Sequence, residues 1–187
     1  MTEPVPTPAA QSASDGPPRA ALIIALVVAV AAVGAVLGIA ATRRAPVQPV
    51  AIASVPAPKA DSSTCRGLLD VLPDRLGDFE RVATADPTPP GAAAWRAAAD
   101  TDPVILRCGV DRPAEFVVGS PIQMVNQVQW FRLDDSASDR STWVSVDRPV
   151  YVALTLPQQS GPTPIQALSD AIARSMPEVA ISPNPAR

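Results

Sequence analysis

Carboxylates are the side chains in this sequence best placed to do chemistry. The candidates are Asp111, Glu115, Asp134, Asp135 and Asp147. Two acids at a suitable separation suffice for glycoside hydrolysis, because one protonates the leaving group while the other acts as base or nucleophile. Aspartate is also favoured in turns, however, where its side chain bonds to nearby backbone. The acids therefore leave two interpretations open, a carboxylate-only hydrolase and ordinary turn residues.

Other catalytic side chains are missing from the chain. It contains no histidine, which removes the usual general base and the commonest metal ligand. Its one lysine, Lys59, lies in a Pro/Ala-rich stretch, so a phosphate-binding loop or a Ser/Lys dyad inside a folded domain has no lysine to use. A net charge of −3, with both signs interspersed, argues against nucleic-acid binding. We expect a protein that is not an enzyme and uses no cofactor or metal ion.

Two tryptophans form the better hint of a binding site. Trp130 and Trp143 flank a predicted hairpin loop and are expected on the same face of the sheet. If exposed, they could stack on a sugar ring or cover a partner protein. The alternative is that a helix covers them and both belong to the core, as is common for tryptophan in a small domain.

Two cysteines, Cys65 and Cys108, lie C-terminal to a long apolar segment, residues 20–41. An even pair in a small domain is typical of a disulfide formed in an oxidising compartment, whereas buried free thiols would fit a cytosolic domain. A bridge between Cys65 and Cys108 would close the chain between them into a loop, which would stabilise the fold by about 4 kcal/mol on the chain-entropy model.

Residues 20–41 form an uncharged apolar run that is long enough to span a bilayer as one helix. A cleaved signal peptide is the alternative, since Gly38 begins a small-x-small sequence, but the run exceeds a signal peptide's apolar region. Gly34 and Gly38 have the GxxxG spacing that lets two membrane helices pack closely, which would give a weak homodimer.

Two features of the sequence predict opposite orientations for this helix in the membrane. Arg43 and Arg44 follow the helix and only Arg19 precedes it, which weakly favours a cytoplasmic C-terminal side. The paired cysteines favour the opposite side, and a weak charge bias is often overridden when a long domain is translocated. We expect a single-pass cell-membrane protein with a cytoplasmic N-terminus and an extracytoplasmic C-terminal domain.

Composition divides the rest of the chain. Residues 1–19 are rich in Pro and Ser and predict a disordered tail, residues 42–60 predict a Pro/Ala-rich spacer, and residues 179–187 predict a frayed end. Between them, residues 61–178 show the periodicity of a folded domain. The prediction is an α+β fold with a small, mostly antiparallel sheet, two helices on one face and one disulfide.

Both helices have sequence signals for their ends. The first begins at a Ser62 or Ser63 N-cap and ends at Pro73. The second has Thr163 as the predicted N-cap of a capping box, followed by an apolar stripe. That stripe consists of Ile165, Leu168, Ile172 and Met176.

Strands are predicted from alternation and β-branched runs. The segments are 79–83 at a sheet edge, 103–110 as a buried strand, 124–133 and 141–146 as a hairpin, and 150–156. A symmetrical hairpin would place Leu133 opposite Arg140 and Trp130 opposite Trp143.

The tetrapeptide Val-Asp-Arg-Pro occurs twice, at 110–113 and 146–149. The flanking residues differ, so a true repeat is not indicated; each copy ends a strand, because proline removes a ladder donor. Asp111 and Asp147 could each pair with the following arginine. We expect the two copies to lie apart, and the second to form a bend and not a tight hairpin.

The order "CRGLL", "LRCGV", "VNQVQW" and "DRPVYV" over residues 61–176 resembles an actinobacterial family of membrane-anchored proteins, the domain of unknown function numbered thirty-five-fifteen. Glycine often stands in that family where this chain has Gln127. The resemblance implies no activity; it implies a cell-envelope protein in which Cys65 and Cys108 match the family's paired cysteines.

Two functions are consistent with these features of the sequence. The first is a non-catalytic, membrane-tethered binding domain of the cell envelope, whose partner would be an envelope protein or cell-wall glycan. The second is a carboxylate-dependent hydrolase or transglycosylase acting on envelope glycan. Buried acids converging in a cleft would favour the second, and isolated, solvated acids would count against it.

Overall fold

The computed structural model describes residues 19–42, 48–134 and 139–186, in two compact units formed by residues 1–45 and 46–187. The first unit contains helix α1 (Arg19–Thr42). Its span from Arg19 to Ile39 has a mean hydropathy of 3.0, enough to cross a membrane, although an N-terminal signal sequence would match it equally in length and composition. Gly34 and Gly38 lie one turn apart on this helix, as predicted.

The second unit is an α+β domain, which confirms the predicted class. Its described residues form two helices, α2 (Ser63–Asp70) and α3 (Thr163–Ser175), and eight strands. The strands are β1 (Arg75–Leu76), β2 (Phe79–Val82), β3 (Ala92–Arg96), β4 (Val104–Val110), β5 (Ile122–Val125), β6 (Val128–Asp134), β7 (Arg140–Ser145) and β8 (Tyr151–Pro157). They form one antiparallel sheet in the order β1-β2-β3-β4-β8-β7-β6-β5.

Both helices cover the same face of the sheet, here called the helix face. The side chains at alternate positions of β8, Val152 and Leu154, pack there with Leu106 of β4. Leu68 of α2 and Leu168 of α3 are fully buried against them. The main hydrophobic core therefore lies between the sheet and the helices, and the predicted apolar stripe of α3 is confirmed.

The disulfide joins Cys65 of α2 to Cys108 of β4, and both residues are fully buried. The Ser62 hydroxyl accepts a hydrogen bond from the Cys65 N–H at 3.2 Å, which caps α2 as predicted. The covalent bond thus attaches the capped first turn of α2 to a central strand.

The opposite face, here called the strap face, is covered by irregular chain. At one end Val50 and Ile52 pack on Ala94 and Ile105. At the other end Phe116, from the loop between β4 and β5, packs on Phe131 and Val146. Two small clusters on this face thus replace the single continuous core of the helix face.

Residues 43–47 of the predicted spacer 42–60 lie outside the described residues. For residues 48–60 (the strap) the prediction is wrong, because Val50, Ile52 and Ala60 are buried in the folded unit. The Val50 N–H donates to the Ala83 carbonyl at 2.9 Å, and the Val50 carbonyl accepts from the Ala85 N–H at 2.9 Å. The guanidinium groups of Arg96 and Arg107 donate to the carbonyls of Gln48 and Ala53 at 3.4 and 3.5 Å. The strap thus belongs to the folded unit.

Gly109 permits the close approach of the strap to β4. Its φ is +90°, and an added Cβ would lie 2.2 Å from the Ala60 nitrogen. The Lys59 N–H donates to the Gly109 carbonyl at 3.1 Å. A residue with a side chain at this position would be strained and would also collide with the strap.

The C-terminal segment is likewise more ordered than predicted. The Asn184 N–H donates to the Phe116 carbonyl at 2.8 Å, and the Val118 N–H donates to the Asn184 carbonyl at 2.9 Å. Arg112 donates to the Ser182 carbonyl at 2.7 Å. Residues 182–184 therefore lie against the 112–118 loop, since backbone groups on both sides pair with each other.

Several predicted elements have different boundaries. Strand β3 was not among the predicted strands. The strand predicted over 124–133 is divided into β5 and β6 by a turn at Asn126, whose φ is 51°. Asparagine tolerates this left-handed conformation, but Gln127 follows it in place of the glycine that would complete the usual Asn-Gly turn signal. β2 is not at the sheet edge, because β1 lies beyond it.

The capping box predicted at Thr163 is wrong. The N-cap is Pro162, which makes no side-chain capping bond, and the Gln166 N–H donates to the Pro162 carbonyl at 3.1 Å. The helix begins one residue earlier because proline's fixed φ already suits a helical start.

The β6–β7 register differs from the prediction by two residues. Leu133 lies opposite Thr142, and Trp130 lies opposite Ser145. A shift of two residues keeps every side chain on its face, so both tryptophans remain on the same side of the sheet. The predicted loop residue Asp135 lies outside the described residues.

The two Val-Asp-Arg-Pro copies lie at the same end of neighbouring strands, because Val110 of β4 pairs with Tyr151 of β8. They are therefore neighbours in the fold, but no hydrogen bond or ion pair shown for the described residues joins one copy to the other, so the prediction that they do not meet is not contradicted. Their hydrogen bonds go to different partners, since Arg112 contacts Ser182 whereas Arg148 contacts Gln127. The second copy forms a five-residue connection between β7 and β8, which confirms that it is not a tight hairpin.

Candidate functional site

The two tryptophans have different environments. Trp130 is fully buried beneath α3, and its indole N–H donates to the Ser169 hydroxyl at 3.0 Å. Trp143 is half-buried at the margin of the core, and its indole N–H donates to the Ser141 hydroxyl at 3.0 Å. Trp130 therefore cannot belong to an exposed binding face, and that half of the prediction is wrong.

Trp143 lines a groove of about 760 Å³ between the sheet and the start of α3, here called the Trp143 groove. Arg132 lies opposite Trp143 in the β6–β7 pair, with its guanidinium carbon 5.5 Å from the ring centroid. Met124 of the edge strand β5 is 62% exposed and lines the same groove. Gln123 and Gln166 add neutral amides. The arrangement combines a flat aromatic surface with hydrogen-bonding side chains, as binding grooves commonly do.

Asn126 also lines the groove, and α3 holds it in place. Its amide nitrogen donates to the Gln166 carbonyl at 3.2 Å and to the Asp170 carboxylate at 2.6 Å. Both amide hydrogens are thus engaged, and the Asn126 Oδ1 is the part of the side chain left to accept. The β5–β6 turn and the helix are joined through this residue.

A second groove of about 520 Å³ lies beside the first, and the turn from 157 to 160 contributes to both. Asp78, Asp102 and Asp139 line it, and sequence reasoning had singled out none of them. Asp102 accepts from Arg140 at 2.9 Å in an exposed ion pair. These acids come from three separate loops, so no spacing in the sequence could have shown that they converge.

The acids predicted from the sequence as catalytic candidates do not converge in one site. Asp111 and Glu115 are solvent-exposed, Asp134 lies in β6 with its side chain outside the described part of the chain, and Asp135 lies outside it entirely. Asp147 is the one buried carboxylate among the described residues. A convergent pair of buried acids is therefore not found in the described ranges.

Asp147 forms a buried ion pair with its neighbour Arg148 at 3.0 Å, and each side chain is at most 2% exposed. Asp147 Oδ2 also accepts from the Gln129 N–H at 3.0 Å, whereas Oδ1 is buried without a partner. Arg148 donates further to the carbonyls of Asp147 and Gln127. The adjacent chain is held as well, because the Val179 N–H donates to the Asp147 carbonyl at 2.9 Å.

Burial raises the pKa of the Asp147 carboxyl, because removal from water disfavours its charged form. The Gln129 N–H and the Arg148 guanidinium offset part of this effect, and the negative charge of Glu178 adds to it. Burial also disfavours the charged form of Arg107 beneath the strap, and it therefore lowers the pKa of that guanidinium. Asp147 and its partners close one end of the sheet, so their geometry fits a structural role.

Within residues 19–42, 48–134 and 139–186, no group of three or more acids or cysteines is arranged to hold a metal ion. The candidate site is the pair of neighbouring grooves, with Trp143 in the larger groove and Phe79 in the smaller one as their aromatic residues.

A family model matches residues 26–181, which include most of α1 and all of the strands and helices that build the grooves. The chain belongs to the DUF3515 family. That family is described as a protein of unknown function, and the match confirms the resemblance found in the sequence. No curated protein and no solved structure matches the chain. Membership in the DUF3515 family thus adds no activity to the geometry.

Proposed function

We propose that this protein is a non-catalytic, membrane-tethered binding domain of the cell envelope that binds its partner through the Trp143 groove. Helix α1 would be the single-pass anchor, with the N-terminus in the cytoplasm and the domain outside. The observation that carries the proposal is the half-buried Trp143 beside an exposed Met124 in a groove of about 760 Å³. Exposed aromatic and methionine side chains are typical of interaction surfaces.

Support for the extracytoplasmic location comes from the disulfide. Cys65 and Cys108 are bonded, and structural disulfides persist in oxidising compartments. Thiol labelling of cells lysed directly into denaturant tests this location, because both cysteines are buried in the folded protein: they should resist labelling until a reductant is added. Free labelling without reductant would argue for a cytosolic domain, and a mature protein lacking α1 would favour the alternative of a cleaved, secreted form.

Site-specific crosslinking in intact membranes tests the binding surface. A photoreactive residue at Met124, in the groove, is compared with one at Val118, which is 61% exposed on the loop after β4. We expect a discrete crosslinked product from position 124 that Trp143→Ala abolishes, and none that depends on Trp143 from position 118. Equal products from both positions would contradict a groove-centred partner.

A second candidate function is a carboxylate-dependent hydrolase or transglycosylase acting on envelope glycan. The observation that favours it is the groove lined by Asp78, Asp102 and Asp139. Asp78→Asn and Asp139→Asn should then abolish release of labelled fragments from purified cell-wall glycan. Our proposal expects no release from the unmodified protein.

Weak homodimerisation through α1 is a further part of the proposal. Gly34 and Gly38 lie on one side of the helix, and an added Cβ at either position would meet nothing within 4 Å in the single chain. Gly34→Ile should reduce self-association in a membrane two-hybrid assay, with Ala29→Ile on the opposite side of the helix as the matched control. Equal effects of the two substitutions would exclude a specific glycine-mediated contact.

A further inference from the structure

The polar lining of the Trp143 groove has a definite chemistry. Four side chains carry neutral amides and two carry hydroxyls among its described residues: Gln123, Asn126, Ser141, Gln158, Ser160 and Gln166. The Arg132 guanidinium also lines the groove, and no described carboxylate does. An amide both donates and accepts hydrogen bonds, which is the capacity that matches the hydroxyl groups of a sugar.

Trp143 adds the apolar half of a sugar site. A pyranose ring is amphipathic: its C–H groups form a flat apolar face, and its hydroxyls point outward along the edge. The indole supplies a flat surface for C–H contacts where a sugar ring takes the place of the Arg132 guanidinium, whose carbon lies 5.5 Å from the indole centroid. The indole N–H is already satisfied by Ser141. A ligand would therefore use the surface of this ring, with hydrogen bonds coming from the amides around it.

Part of this site is fixed before any ligand binds. α3 engages both amide hydrogens of Asn126, so this side chain does not have to be ordered by the ligand. A fixed polar group loses little conformational entropy on binding, which strengthens weak ligands such as neutral sugars.

The length of the surface favours a chain of sugars over a single one. The second groove continues on the other side of the 157–160 turn, and Gln158 and Ser160 line both grooves. Its carboxylates, Asp78 and Asp139 among them, can accept hydrogen bonds from further hydroxyls. A protein partner would instead require a desolvated apolar centre, and Met124 is the one strongly exposed large apolar side chain lining the groove.

From these observations we infer that the Trp143 groove binds an oligosaccharide segment of envelope glycan, with one sugar ring stacked on Trp143. The inference rests on the proposed function, because it names the ligand class of that same groove.

Titration of the full-length protein in detergent micelles tests the inference. The probes are four tetrasaccharides, of N-acetylglucosamine, glucose, mannose and arabinose, and the readout is tryptophan emission. Trp95 and Trp130 are fully buried, so a ligand on the groove changes mainly the emission of Trp143. We expect at least one probe to bind with a Kd below about 1 mM.

Variants locate the binding. Trp143→Ala should weaken it by about tenfold or more, measured by calorimetry, whereas Trp143→Phe should keep most of it. Gln166→Ala should weaken it by a smaller factor, and the matched surface control Val118→Ala should leave it unchanged. Gln166→Ala also keeps the test decisive if Trp143→Ala does not fold.

The outcomes separate this inference from the proposed function. If none of the four probes binds below about 10 mM, or if Trp143→Ala and Gln166→Ala leave binding unchanged, the saccharide inference is overturned. A Trp143-dependent protein crosslink at position 124 without sugar binding would overturn it while the binding-domain proposal stands. If neither sugar nor crosslink is found, both fail.

Discussion

The two faces of the sheet are covered in different ways. On the helix face, α2 and α3 bury one continuous core and a disulfide attaches the first of them to β4. On the strap face, two small clusters lie beneath irregular chain, and Arg96 and Arg107 hold the strap through its carbonyls. Global stability should therefore reside mainly on the helix face, whereas the strap should open locally.

The largest expected effect comes from the disulfide. The double variant Cys65→Ala/Cys108→Ala should lower the free energy of unfolding by about 4 kcal/mol, because the unfolded chain regains the freedom of the closed loop. Urea denaturation followed by tryptophan emission measures it, and reduction of the unmodified protein is the control. A loss below about 1 kcal/mol would show that the helix face does not depend on its covalent attachment.

A smaller effect is expected from the core of the helix face. Leu168→Ala should lower the free energy of unfolding by about 3 kcal/mol, because the residue is fully buried and leaves a cavity. Leu168→Met is the control and should lose less than about 1.5 kcal/mol, since it roughly conserves volume. Equal losses from both variants would indicate that packing at this position does not matter.

The corresponding change on the strap face should be milder. Ile52→Ala should lower the global free energy of unfolding by less than about 1 kcal/mol, because the strap can detach before the sheet unfolds. It should speed cleavage by a lysine-specific protease after Lys59, the only lysine in the chain. Ile52→Val should cleave nearly as slowly as the unmodified protein. A global loss equal to that of Leu168→Ala would remove the distinction between the faces.

The smallest expected effect is a change in pH dependence at the sheet end where the faces meet. Because burial raises the pKa of Asp147, the folded protein binds this proton more tightly than the unfolded chain does. The free energy of unfolding should then fall as the pH rises from the ordinary value of 3.8 through the raised pKa.

Asp147→Asn removes this titration. Urea denaturation between about pH 4 and about pH 7 should show a difference in stability, wild type minus variant, that becomes smaller as the pH rises. A difference that grows with pH would mean that the ion pair with Arg148 outweighs the burial of the carboxylate.

Local patterns predicted much of the fold. A β-branched apolar run located β4, alternation located β7 and β8, and the apolar stripe of α3 identified its buried side. Local patterns missed β3, whose Ala-rich sequence lacks β-branched residues, and the turn at Asn126, where glycine is absent from the next position. They also assigned the strap to a spacer, since its prolines concealed the alternation of Val50 and Ile52.

The sequence indicated only part of the candidate site. Both tryptophans were correctly placed on one face, yet α3 covers Trp130 and stops short of covering Trp143. The acids of the second groove come from loops far apart in the chain and carry no common motif.

The sequence by itself determined the apolar helix, the paired cysteines, the α+β class and the lack of histidine chemistry, because these depend on composition and on spacing over a few residues. Only the tertiary structure decided which tryptophan stays partly accessible, that the strap joins the domain, and that two grooves meet at the 157–160 turn. These features depend on which distant segment covers which face of the sheet, and burial by a distant segment leaves no periodic signal in the covered residues.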